Sequence, residues 1–263
     1  MIHHAFRDVM AAALATAMFM PLDGSTPVRA QTTLHQPPAA GAPAPEYPFG
    51  FKAYGVFGRM ITERNYQPMV ALKDAVDGRT TDAVGAVSGL RGEISMIEGR
   101  LIVSYGADCA ATCPRPDTET ATLLATASAQ HWRSVPIDKD LDAKGIEDFI
   151  HAQAKAAGLD GKPFPFRITG AITNFVMHVN AAPNPRFKGH GSFDEMAITG
   201  LAKGPRLAGL VVGFYAPPPL QGVITHMGDY FHSHYVDEQR SATAHLDTFG
   251  IAAGSTLLLP MQH

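Results

Sequence analysis

The sequence is poor in cysteine, and the two that it has, Cys109 and Cys113, have no histidine close by in sequence. That leaves little from which to build a thiolate metal site, and a thioredoxin-like pair would need two intervening residues where this chain has three. In an oxidising compartment the spacing suits a small-loop disulfide instead. Charge is also scarce. Only 17% of residues are charged and the formal net charge is −3, so no basic surplus is available to neutralise phosphates, and nucleic acid is excluded as the expected partner. Aromatic residues make up 8%, against 25 glycines and 20 prolines, which argues against a long helical bundle and for many turns and short strands. Apolar residues at 46% rule out a disordered chain, and 263 residues are ample for a core. There is no phosphate-binding glycine loop, no serine nucleophile motif and no internal repeat.

The first thirty residues read as an address. A short start with Arg7 is followed by an apolar run from Val9 to Leu22 and by Val28-Arg29-Ala30. This is the layout of a secretory signal peptide cut after Ala30, the alternative being an N-terminal anchor helix, for which the run is short. No later stretch is long and apolar enough to cross a bilayer. The mature chain is then expected to be secreted or periplasmic, with no membrane attachment after cleavage. Residues 31–48 are rich in Pro and Ala and read as an extended leader. Folded sequence is expected over 49–263, in subdomains of roughly 49–160 and 161–263.

Periodicity predicts a short helix over Tyr66–Asp77 and another over Asp142–Ala157, where Ile146, Phe149, Ile150 and Ala154 share one stripe. Val84–Tyr105 alternates short apolar runs with glycine-bearing turns, a hairpin or meander pattern. Phe164–Asn180 reads as two strands around Thr169-Gly170. Leu207–Tyr215 is a buried strand stopped by Pro217-Pro218-Pro219. Gln221–Val236 and Ser241–Phe249 form a strand pair, and Ser255–Met261 is the last strand. The sum is an α+β fold dominated by sheet: two packed subdomains of mixed or antiparallel strands with a few helices.

The twelve histidines matter by position. His232 and His234 are two apart, and alternate side chains of a strand share one face, so both imidazoles project the same way. His245 follows after a turn through Asp237–Ser241, and a hairpin return would set it beside the pair. Three neutral imidazoles with open positions are the ligand set of a catalytic zinc site. Ordinary surface or core histidines are the alternative reading. Six residues before His232, His226 competes as a ligand if the strand is unbroken, although Gly228 favours a break. Asp229 is a candidate to orient a ligand imidazole. All-nitrogen ligation prefers zinc over copper and leaves other divalent transition metals open.

These residues also carry a resemblance. Gly213-Phe214-Tyr215-Ala216-Pro217, the His232-Ser233-His234 strand and His245-Leu246-Asp247 resemble, in order, three segments of the acetolactate decarboxylase family. Leu90-Arg91-Gly92-Glu93, Ile97-Glu98-Gly99 and Phe166-Arg167-Ile168-Thr169-Gly170 are similar to further family segments. The resemblance implies that His232, His234 and His245 hold zinc, and that Glu93 takes part in proton transfer or metal binding. It implies a small-molecule substrate, 2-hydroxy-2-methyl-3-oxobutanoate, decarboxylated to acetoin, and by family analogy a homodimer. The place of a family arginine, expected to meet the substrate carboxylate, falls on His178, and imidazole cannot offer a bidentate guanidinium fork. Arg167 matches a different family arginine. No glutamate follows Glu238, although the family has one in its C-terminal tail, and a family threonine is Ala86 here. Two alternatives therefore stand beside a zinc decarboxylase: a zinc- or small-acid-binding protein that does not decarboxylate, and a zinc hydrolase.

Overall fold

A computed structural model describes residues 46–76, 78–106, 114–190 and 195–262. The expected signal peptide, most of the Pro/Ala-rich leader and the Cys109–Cys113 pair lie outside the described residues. The described strands form two six-stranded sheets in which every pairing is antiparallel.

The first sheet holds β1 (Lys52–Tyr54), β2 (Val70–Ala71), β3 (Thr81–Val87), β4 (Gly92–Ile97), β5 (Arg100–Tyr105) and β6 (Thr120–Ser128), in the order β1-β6-β3-β4-β5 with β2 also on β6. The meander expected over Val84–Tyr105 is β3-β4-β5. Its second turn is the two residues Glu98 and Gly99, both at positive φ (54° and 74°), the backbone that a tight hairpin with right-handed strand twist requires. Every residue of β3 and β4 is buried. One face packs on Leu72 and Ala75 of a short helix, and Val84 and Ile97 pack on Val212, Phe214 and Val236 of the second sheet.

The second sheet holds β7 (Trp132–Ile137), β8 (Phe164–Pro183), β9 (Ala197–Tyr215), β10 (Phe231–Val236), β11 (Thr243–Ile251) and β12 (Ser255–Pro260), in the order β11-β10-β9-β8-β12-β7. In addition β11 pairs with β8, so β8, β9, β10 and β11 close into a ring. One edge of β8 serves two partners, β12 along Arg167–Thr169 and β11 along Ile172–His178. The chain passes from one partner to the other at Gly170, whose φ of +137° suits only glycine and where a Cβ would lie 2.2 Å from Ser255 Oγ. Phe164–Asn180 therefore belongs to one strand that changes partner at Gly170, not the expected two. The chain crosses from the first sheet to the second between Ser128 and Trp132 rather than near residue 160, because β7 pairs with β12.

Among the described residues are three α-helices: α1 (Phe57–Thr62), α2 (Leu72–Ala75) and α3 (Ala143–Ala156). The last matches the expected helix. The Asp142 side chain caps it by accepting from the Gly145 N–H at 2.7 Å, and Ile146, Ile150 and Ala154 are its buried stripe. Only four residues of the expected Tyr66–Asp77 helix are helical, because Val70 and Ala71 pair instead with Ala121 and Thr120 of β6. Gln221–Asp229 lies outside the ladder of the expected strand pair. Gly222 and Gly228 turn there at φ of 76° and 96°, and only Phe231–Val236 is strand. No helix among the described residues is long and apolar enough to cross a membrane.

One buried ion pair bolts the sheets together. Arg167 of β8 donates through Nε and Nη2 to the two oxygens of Asp82 in β3, both at 2.7 Å, and through Nη1 to Glu98 at 2.9 Å. Its guanidinium lies 4.3 Å from the centroid of the Trp132 ring. Asp82 is fully buried and Arg167 nearly so, so removing either partner strands a charge. Arg167→Ala is expected to cost about 3–5 kcal/mol by urea denaturation, and the double change Asp82→Leu/Arg167→Met to recover most of that. A loss below about 1 kcal/mol for the single variant would mean that the pair behaves like an exposed one.

Candidate metal centre

Ring closure puts three histidines in a row. Across the ladder His178 of β8 faces His245 of β11, and His245 faces His234 of β10. His232 joins them because it lies two residues from His234 on the same strand face. One nitrogen from each of His232, His234 and His245 falls within 4.8 Å of the others, and the Nε2 atoms of His232 and His234 are 3.2 Å apart. An ion that binds each imidazole at about 2.0–2.1 Å can be held by such a group after small ring movements.

Hydrogen bonding settles which nitrogen of His234 is available. Thr243 Oγ1 donates its only proton to the Tyr235 carbonyl at 3.0 Å. Ser95 Oγ, 2.6 Å from Thr243 Oγ1, must then donate to it. With its own proton so used, Ser95 accepts at 3.2 Å from Nδ1 of His234. His234 therefore carries its proton on Nδ1 and turns the Nε2 lone pair toward His232. Burial reinforces this. It drives His232 down to about 4, and holds His234 and His245 well below the ordinary imidazole value, with neighbouring histidines acting in the same direction. Three neutral imidazoles with converging nitrogens fit a divalent transition metal, so the donor set passes the test of its chemistry.

Beside the triad lies a buried carboxylate. Glu93 of β4 is 2% exposed, with Oε2 3.7 Å from His234 Nε2 and Oε1 3.9 Å from His178 Nε2. Asn180 donates twice to Oε1, through its backbone N–H at 3.2 Å and its side-chain Nδ2 at 2.6 Å. Burial pushes the Glu93 carboxyl up to about 8, against the opposing pull of His178 and the Asn180 N–H groups. His178 donates through Nδ1 to Asp247 Oδ1 at 2.7 Å. Asp247 is the extra residue where the β8–β11 register shifts between Leu246 and Thr248. Glu93, His178, Asn180, His232 and His245 form the polar wall of a small cavity, and Phe57, Met60, Ala86 and Leu123 form its apolar wall. Among the described residues no lysine or arginine lines it.

All five residues expected from sequence thus meet in one place: His232, His234 and His245 as the converging group, Glu93 and His178 beside it. His226 stands apart from the converging group, its ring packed 4.5 Å from that of Phe57, because residues 221–229 do not continue the strand. Asp229 is exposed in that turn, and Ser95 is the residue that orients a ligand imidazole. Sequence reasoning did not single out Ser95, Thr243 or Asn180. The one available signal was alternation: Ser95 follows Glu93, and Asn180 follows His178, by two residues on a strand.

The sequence model for alpha-acetolactate decarboxylase matches residues 78–262. The fold is similar to that of alpha-acetolactate decarboxylase from Bacillus subtilis strain 168, with a TM-score of 0.63 and 13% identity over 81% of this chain and 86% of that one. A Staphylococcus aureus protein of unknown function, described as similar to alpha-acetolactate decarboxylase, aligns with a TM-score of 0.57 and 16% identity over 80% of this chain and 84% of its own. No curated protein matches the chain in sequence. At such identities the solved structures speak for the fold alone.

His232→Ala and His234→Ala are each expected to abolish stoichiometric zinc retention, read by elemental analysis after loading and desalting, whereas His226→Ala should leave it intact. Ser95→Ala keeps all three imidazoles but removes the side-chain partner of His234 Nδ1, and is expected to weaken zinc binding about 10–100-fold in a chelator competition. Unchanged affinity would refute a role for Ser95 in setting the His234 ring.

Proposed function

The chain belongs to the alpha-acetolactate decarboxylase family, and from that premise we propose that it decarboxylates 2-acetolactate, or a related 2-hydroxy-2-alkyl-3-oxo acid, to the corresponding hydroxy ketone, acetoin in the first case. The observation that carries this reading is the convergence of three neutral imidazoles, two buried and the His245 ring half-buried, next to a buried carboxylate on one cavity wall. His232, His234 and His245 would hold a divalent ion, zinc by preference for all-nitrogen ligands. Such an ion supplies Lewis-acid polarisation of the substrate's hydroxyl and keto oxygens.

The protein's own groups do the rest. Oε1 of Glu93 is occupied by two Asn180 N–H donors, so a proton on this carboxyl sits on Oε2, the oxygen turned to the triad. From there Glu93 delivers it to the carbon that has lost carbon dioxide. Phe57, Met60 and Leu123 offer an apolar wall to the alkyl group and keep water from the reacting carbon. His178, whose Nδ1–H is held by Asp247, meets the substrate carboxylate through Nε2 as an imidazolium, since only the doubly protonated ring has a second N–H to donate. The signal-peptide pattern of the first thirty residues supports action outside the cytosol.

One observation favours a second reading. With no guanidinium among the described residues that line the cavity, a single imidazole must hold the carboxylate, which suits a homologue that binds small acids at the metal without decarboxylating them. Acetoin release from 2-acetolactate by zinc-loaded protein decides between the two. We expect formation that a chelator abolishes and zinc restores, and that falls about 10²–10⁴-fold in Glu93→Gln. His178→Ala is expected to raise KM more than it lowers kcat, and His178→Arg to lower KM. No chelator-sensitive acetoin from fully loaded protein would leave the binding-protein reading in possession.

A further inference from the structure

Asn180 has no part in the metal group, yet it is 2% exposed and lines the cavity. Its amide orientation is not arbitrary. With Glu93 Oε1 already accepting the residue's backbone N–H at 3.2 Å, the NH₂ end is the one turned to that oxygen, at 2.6 Å, and the backbone carbonyl accepts from Gly106 N–H at 3.0 Å. Three contacts therefore clamp the residue. The remaining polar atom, Oδ1, is buried and hydrogen-bonds nothing among the described residues. Buried carbonyl oxygens are normally satisfied, and one left unpaired in a residue that lines a cavity marks a place for a ligand donor.

The neighbouring groups narrow what that donor is. Glu93 Oε1 already accepts two N–H groups, and the converging imidazole nitrogens face one another. Asn180 Oδ1 is thus a neutral, unpaired acceptor in a residue of the polar wall, suited to a hydroxyl and not to a carboxylate, which cannot donate. We propose that Asn180 is a specificity-determining residue whose Oδ1 accepts a hydrogen bond from the hydroxyl of a 2-hydroxy acid, so that the cavity selects hydroxylated acids over their deoxy analogues. This rests on the reading that a 2-hydroxy-3-oxo acid occupies the cavity, and adds to it the group that recognises the hydroxyl.

The test is the ratio of dissociation constants for isobutyrate and 2-hydroxyisobutyrate on zinc-loaded protein, measured by calorimetry. Wild type should prefer the hydroxy acid, and Asn180→Leu should shrink that preference by about 10-fold or more with zinc content unchanged. Asn180→Ser, which can still donate to Glu93 but loses the carbonyl, should shrink it likewise. A ratio unchanged in a zinc-replete variant, or no preference in wild type, overturns the proposal. If neither variant folds, the carboxamide carbon of Asn180 in labelled wild type decides: its resonance must move with the hydroxy acid and stay with isobutyrate, and equal behaviour refutes the contact. Acetoin formation is scored separately. A hydroxyl preference that depends on Asn180 without acetoin would sink the decarboxylase reading alone, and acetoin with an unaltered ratio would sink this proposal alone.

Discussion

Ring closure by β11 is the constraint on which the site depends. That strand must pair with β10 on one edge and with β8 on the other, and only then do His234, His245 and His178 fall into register across three neighbouring strands. The closure in turn needs β8 to leave β12 and take up β11 partway along its length. Gly170 makes this possible by adopting a backbone angle closed to other residues. The histidine cluster is thus a consequence of strand pairing, and its precision comes from ladders rather than loops.

Burial then acts with opposite sign on the two kinds of titratable group. Desolvation disfavours charge, so it lowers the imidazoles of His232, His234 and His245 and raises the carboxyl of Glu93. The outcome is a set of neutral bases next to an acid that keeps its proton more readily than an exposed glutamate. The Asp82–Arg167 pair belongs to the same economy of buried charge: it is fully hydrogen-bonded, and it fixes β8 against β3 so that Glu93, on the adjacent β4, is carried up to the histidines.

Much of this was legible in the sequence for a simple reason. A period of two is short, and His232-x-His234 followed by a hairpin return to His245 leaves few geometries in which the rings do not meet. The meander of β3 to β5 was equally plain, since its turns are marked by glycine. Where the reading went astray, pairing overrode local pattern. Val70 and Ala71 were drawn into the first sheet, Gln221–Asp229 was kept out of the second by two glycines at positive φ, and the ladder with β9, unbroken through Gly170, joined what looked like two strands. Glu93 was identified through resemblance and not through its own surroundings, because nothing near it in sequence tells a buried carboxylate from a turn carboxylate.

By itself the sequence determined which side chains share a face, because alternation along a strand is a property of the backbone alone. It also determined the family, since the order of its short motifs survives where overall identity does not. Only the tertiary structure decided which faces meet, which nitrogen of His234 is free, and that Asn180 holds Glu93 while leaving its own carbonyl oxygen open. Those outcomes depend on contacts between residues as far apart as Ser95 and Thr243, and local pattern carries no information about partners so distant along the chain.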